Sequence, residues 1–113
     1  MKATIYHNPR CSKSGNALAH LQESGAQVTI VEYLHETPTV EQLRTLIADA
    51  GLSVRQVVRD TEPEYRSLGL EDADDEALLG ALAAHPQLIQ RPFVVTDGGT
   101  WLARDPDTLD QIG

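Results

Sequence analysis

The run from Met1 to Tyr33 constrains the fold more than any other part of this chain. Ala3-Thr4-Ile5-Tyr6-His7 alternates polar and apolar side chains with β-branched members, as a short strand does. Asn8-Pro9 stops it with turn chemistry. From Ser14 the period becomes helical, with Ala17, Leu18 and Leu21 on one face and Gly25 suited to the C-terminal cap. Val28-Thr29-Ile30-Val31, with Tyr33, then predicts a second strand, largely buried. A strand–helix–strand unit of about 30 residues joins parallel strands by a right-handed crossover.

The middle carries helical signals. Thr39 with Gln42 is a capping box opening a helix whose Leu43, Leu46, Ile47 and Ala50 share a face, closed by Gly51. Ser53 with Gln56 repeats the device, and Val54, Val57 and Val58 give that short helix its apolar side. Pro63 suits the first turn of another, running to about Leu68 before Gly69. Asp74 or Asp75 caps a helix with Leu78, Leu79 and Leu82 inward, ending at His85-Pro86. The pattern then returns to β: Phe93–Thr96 and Thr100–Ala103 flank Asp97-Gly98-Gly99, a hairpin signal. Asp105-Pro106 caps a terminal helix with Leu109 and Ile112. The order βαβ, helices, ββα predicts an α/β, thioredoxin-like fold with a four-stranded mixed sheet. With 113 residues the chain is expected to form a single domain, 1–113. Its core is 1–37 and 87–113, and 38–86 is a helical insertion.

Seventeen acidic residues against 9 basic ones give a net charge of −8. That balance argues against nucleic acid or an anionic membrane as partner, since both attract basic surfaces. No apolar run approaches the ~20 residues needed to span a bilayer, and no secretory leader is recognisable, so the expected location is cytoplasmic. Seven of the 9 bases are Arg. That is either compositional bias or a set of oxyanion ligands, for which a planar guanidinium fork is suited.

Cys11 is the single cysteine, which excludes an intramolecular disulfide and Cys-cluster zinc sites, and no metal site is expected. A lone cysteine is commonly a small buried hydrophobe, but Cys11 lies between the first strand and the first helix. There, unpaired backbone N–H groups and the helix dipole favour thiolate, and can bring a cysteine pKa to roughly 3.5–7.5. His7 is placed to add positive charge, and Arg10 and Lys13 lie close by in the chain. The same N–H groups suit an incoming anion. Ser14 stands where a Cys-x-x-Cys oxidoreductase has its second cysteine, and Ala17 where a phosphatase-like loop needs Arg. No protease signature pairs Cys11 with His20, His35 or His85, which read as surface or packing residues. What remains is a nucleophilic thiolate that borrows its resolving thiol from another molecule.

His7-Asn8-Pro9-Arg10-Cys11-Ser12-Lys13-Ser14, Tyr33-Leu34, Thr37-Pro38, Val54-Arg55 through Arg59, and Glu62-Pro63-Glu64-Tyr65 resemble the glutaredoxin-coupled arsenate reductase family. Leu68-Gly69-Leu70, His85-Pro86, Leu88-Ile89, Arg91-Pro92 and Arg104-Asp105-Pro106 continue the resemblance in order, over nearly the whole chain. It implies reduction of arsenate to arsenite, with no bound cofactor, glutathione as co-substrate, glutaredoxin as partner, and a monomer. It also implies that Cys11 is the nucleophile and His7 supports its thiolate. By the same resemblance Arg59, Arg91 and Arg104 hold the oxyanion, with Ser14 also at the substrate. One position departs from the pattern: many relatives carry a basic residue directly after the serine, and here it is Gly15.

Two other functions are compatible with the residues: a related thiol oxidoreductase acting on a different substrate, and a redox-responsive transcription regulator binding RNA polymerase. Regulators of that kind commonly use Cys-x-x-Cys, against which Ser14 counts. The segment Asp60–Glu76 holds eight of the 17 acids and reads as a solvated helical face or as a docking surface for a basic partner such as glutaredoxin. In thioredoxin-like folds the residue pair entering the third strand presents a cis-proline to the active cysteine. Pro92 is therefore predicted cis, although only about 5–6% of X–Pro bonds are.

Overall fold

A computed structural model of the chain describes residues 1–112. Its elements are β1 (Lys2–Tyr6), α1 (Ser12–Glu23), β2 (Gln27–Val31), α2 (Val40–Asp49), α3 (Val54–Val57), α4 (Pro63–Ser67), α5 (Asp75–Ala84), β3 (Phe93–Thr96), β4 (Gly99–Leu102) and α6 (Pro106–Gln111). They divide into two compact units: Met1–Glu36 with the segment from Arg91 onward, and Thr37–Gln90.

The first unit holds the whole sheet, in the order β2-β1-β3-β4. β1 runs parallel to β2 and antiparallel to β3, and β3 turns back on β4, so the sheet is mixed, as predicted. Ile5 lies opposite Ile30 on one side and Val94 on the other. Alternate β1 residues Ala3 and Ile5 point into a core with Val94, Ala17 and Leu21 of α1, and Ala103 and Ile112. Leu109 and Trp101 pack at its margin, so α1 and α6 are both anchored to this core. Leu21 is fully buried, and truncating such a side chain to Ala costs about 2–5 kcal/mol.

β2 is not the largely buried strand that its apolar run suggests. It is an edge strand; Gln27, Thr29 and Ile30 are exposed, Ile30 to 44%, and Val28 packs only partly on the core. A short apolar run does not distinguish a central strand from an edge one, because that depends on the pairing order. The hairpin is tighter than its Gly-Gly signal implies: Thr96 pairs with Gly99, leaving Asp97-Gly98 as a two-residue turn.

α1 ends at a left-handed Gly25. Its N–H donates to the Gln22 carbonyl, and the Ala26 N–H to that of Leu21, which closes the helix by the two-bond glycine stop. Gly15, by contrast, sits inside α1, and a Cβ there would meet nothing within 4 Å. Glycine at a helix interior costs about 1 kcal/mol relative to Ala. Gly15→Ala is therefore expected to raise the thermal midpoint by about 4 °C, measured by circular dichroism.

The second unit is helical, as read from the sequence. Both capping boxes are formed, Thr39 with Gln42 and Ser53 with Gln56, and Asp74 caps α5 by accepting the Ala77 N–H. α5 packs against α2 and α3, with Leu78, Leu79 and Leu82 buried on one side and Leu43, Leu46, Ile47 and Val57 on the other. Two single 3₁₀ turns, Leu70–Asp72 and Pro86–Leu88, are too short for periodicity to mark. Within the unit, backbone bonds from Arg59 N–H to Leu88 and from Gln90 N–H to Val57 join the stretch after α3 to the unit's C-terminal end. Among the described residues no helix is long and apolar enough to cross a membrane.

Candidate active site

The site grows from the end of β1. The His7 N–H still donates to the Val31 carbonyl at 2.8 Å, so the pairing with β2 reaches one residue past the strand. Asn8 then pins the loop three times. Its carbonyl accepts the Cys11 N–H at 3.0 Å, its Oδ1 accepts the Arg10 N–H at 3.0 Å, and its own N–H donates to Ser14 Oγ at 3.0 Å. Cys11 is the N-cap of α1, with extended backbone, and its carbonyl accepts the Gly15 N–H.

Partial burial pushes the Cys11 thiol up, but it is outweighed. The Ser14 backbone N–H, the Arg91 guanidinium by hydrogen bonding and by charge, and the Lys13 backbone N–H all favour the anion, leaving the thiol below its ordinary value. The lowered value predicts that alkylation rate plotted against pH inflects below the free-thiol value of about 8.5. An inflection at or above it would contradict the geometry.

His7 is 8% exposed, and its Nδ1 lies 2.6 Å from Ser14 Oγ. Burial holds its imidazole below the usual value, with the Glu32 carboxylate working the other way. Burial thus works against the positive charge that the sequence offers at His7. What the ring does is fix Ser14. Ser14 is fully buried; its hydroxyl is engaged by His7 and by the Asn8 N–H, and its backbone N–H serves the sulfur.

The three arginines read from the sequence are not equivalent. Arg91 precedes Pro92, and the bond between them is cis, as predicted. Its guanidinium acts directly on Cys11, while its Nε is buried with no hydrogen-bond partner among the described residues. A buried, unpaired donor of a charged group is costly, and an anion beside Cys11 is the natural acceptor for it. Arg104 is exposed just past β4. Asp105 is held below the ordinary carboxylate range chiefly by the Thr108 N–H and hydroxyl, and also by the charges of Lys13 and Arg104. Arg59 belongs to the second unit, where its guanidinium is paired with Glu62 and both side chains are about a quarter exposed. Among the described residues no three His, Cys, Asp or Glu side chains converge to hold a metal.

Sequence reasoning missed three contributors. The sequence marks Asn8 as a turn residue, and Asn-Pro ahead of a helix is the right chemistry for such a pin. The direct action of Arg91 on the sulfur is long-range and leaves no local signal. Glu62 lies three residues after Arg59, a spacing that brings side chains together within one turn.

Residues 6–112 match the ArsC family. The chain is 46% identical to an arsenate reductase of Rhizobium meliloti, over 99% of this chain and 81% of that protein. It is 43% identical to an arsenate reductase of Escherichia coli strain K12, over 96% and 79% respectively. A solved arsenate reductase from Vibrio cholerae superposes with a TM-score of 0.94 at 41% identity, covering 100% of this chain and 98% of that one.

Proposed function

The chain belongs to the ArsC family, and from that premise we propose that it is a cytoplasmic arsenate reductase coupled to glutathione and glutaredoxin. The observation that carries the reading is the Cys11 thiol at the start of α1, where two backbone N–H groups and Arg91 draw it toward its anion.

The Cys11 thiolate attacks arsenic, an As–S bond forms, and one arsenate oxygen leaves as water after protonation. Arg91 faces the developing negative charge, and its free Nε supplies a donor for an arsenate oxygen. Arg104 adds charge to hold the oxyanion, and the family resemblance assigns Arg59 to the same task. His7 and Ser14 position Cys11. Glutathione thiolate then attacks the Cys11 sulfur: the S–S bond forms, the S–As bond breaks, and its electron pair stays on arsenic, which leaves as arsenite. Glutaredoxin takes the glutathione from the mixed disulfide and returns Cys11 as thiolate.

The test is arsenate-dependent NADPH consumption with glutathione, glutaredoxin and glutathione reductase present. Consumption should need all components and fall to background when either arsenate or glutaredoxin is left out. Consumption that is independent of arsenate would refute the reading.

A further inference from the structure

We propose that the cleft between the segments following β1 and β2 seats the γ-glutamyl end of glutathione as its sulfur reaches Cys11. This rests on glutathione being the resolving thiol. The cleft has a volume of about 230 Å³, with His7, Pro9 and Arg10 on one wall and Glu32, Leu34 and His35 on the other. At about 30 Å³ for each water displaced, the cleft holds about eight waters, ample for an amino-acid head group and its methylene stem.

The chemistry of the walls selects a zwitterion. Arg10 is a permanent cation and Glu32 an anion, and they face the same space without forming an ion pair with each other or with any other described residue. An inorganic oxyanion would be attracted by Arg10 and repelled by Glu32. An α-amino acid presents a carboxylate and an ammonium on one carbon, which complements both at once. Pro9 and Leu34 offer apolar surface to its methylene stem, and Leu34 is 36% exposed, open to such a contact.

The direction of attack agrees. Displacement at sulfur is in line, so the incoming thiolate approaches Cys11 opposite the arsenic. The oxyanion belongs on the side of Arg91, which leads into β3, and β3 flanks β1 on one side. β2 flanks it on the other, and the cleft lies on the β2 side, next to Arg10 and so one residue from Cys11. A head group seated there brings its sulfur in from the free side.

The test does not depend on arsenate. Cys11 is converted to its mixed disulfide with thionitrobenzoate, and a thiol is added. The thiol's sulfur attacks that of Cys11, and the coloured aromatic thiolate leaves. Glutathione is compared with N-acetylcysteinylglycine, which keeps the thiol and the amide but lacks the α-amino-acid head. Each rate is divided by that thiol's rate on the free aromatic disulfide. The native chain should favour glutathione about fivefold or more, roughly 1 kcal/mol of selective binding. In Glu32→Gln and in Arg10→Gln that ratio should fall to near one. Equal rates in the native chain, or a preference that survives both substitutions, would overturn the proposal. A preference with the expected variant effects in a protein that consumes no arsenate would uphold the cleft and remove the arsenate reading.

Discussion

Cys11→Ser is expected to abolish arsenate turnover, by on the order of a thousandfold or more, while leaving the fold as stable as before or more so. The two halves of this outcome have one cause. Cys11 occupies the N-cap of α1, a position where serine is among the preferred residues and cysteine is not. A serine hydroxyl there can accept the Lys13 or Ser14 N–H, and a good cap contributes about 1 kcal/mol. Yet no arrangement of two N–H groups and one guanidinium brings a hydroxyl near ionisation at neutral pH, so the nucleophile disappears. Denaturation midpoint and NADPH consumption, measured on the same preparation, read the two effects. A variant that loses activity only in proportion to lost stability would mean that the sulfur is structural. A local rule broken without local benefit is what a functional position looks like in a chain that is otherwise consistent.

That consistency explains which features can be read from the sequence. The capping boxes at Thr39 and Ser53, the Asp74 and Asp105 caps, and the Gly25 and Gly51 stops are all set by residues within a few positions, and each forms as read. The strand–helix–strand unit places Cys11 at a helix start for the same local reason. How far each strand or side chain is covered is less legible. Ile30 lies in an apolar run yet is exposed, because β2 has a neighbour on one side only. His7 reads as a source of charge in a short motif, but its burial disfavours the charged ring. Arg91 is 80 positions from Cys11, and the β1–β3 pairing brings it to act on the sulfur.

The two roles proposed for Arg91, on the sulfur and on the oxyanion, set the terms of its test. Replacing Arg91 by Ala should lower arsenate turnover at least tenfold, about 1.4 kcal/mol or more of transition-state binding. The same substitution removes a hydrogen bond and a positive charge that favour the thiolate, so the Cys11 thiol must move up. At a pH below the new inflection, less thiolate is present, and reaction with a neutral alkylating agent slows together with turnover. At a pH above the new inflection that difference should close. There the sulfur is anionic in both proteins, and alkylation rates should converge. Arsenate turnover should stay depressed at that pH, because the guanidinium that faced the oxyanion is still missing, whereas the alkylating agent brings no charge to hold. Arg91→Lys separates the components further, since it keeps the charge but not the planar fork. It should restore much of the thiolate and less of the turnover. Recovery of turnover in step with alkylation as pH rises would show that Arg91 serves the sulfur alone, and the oxyanion would then have to be held by other groups.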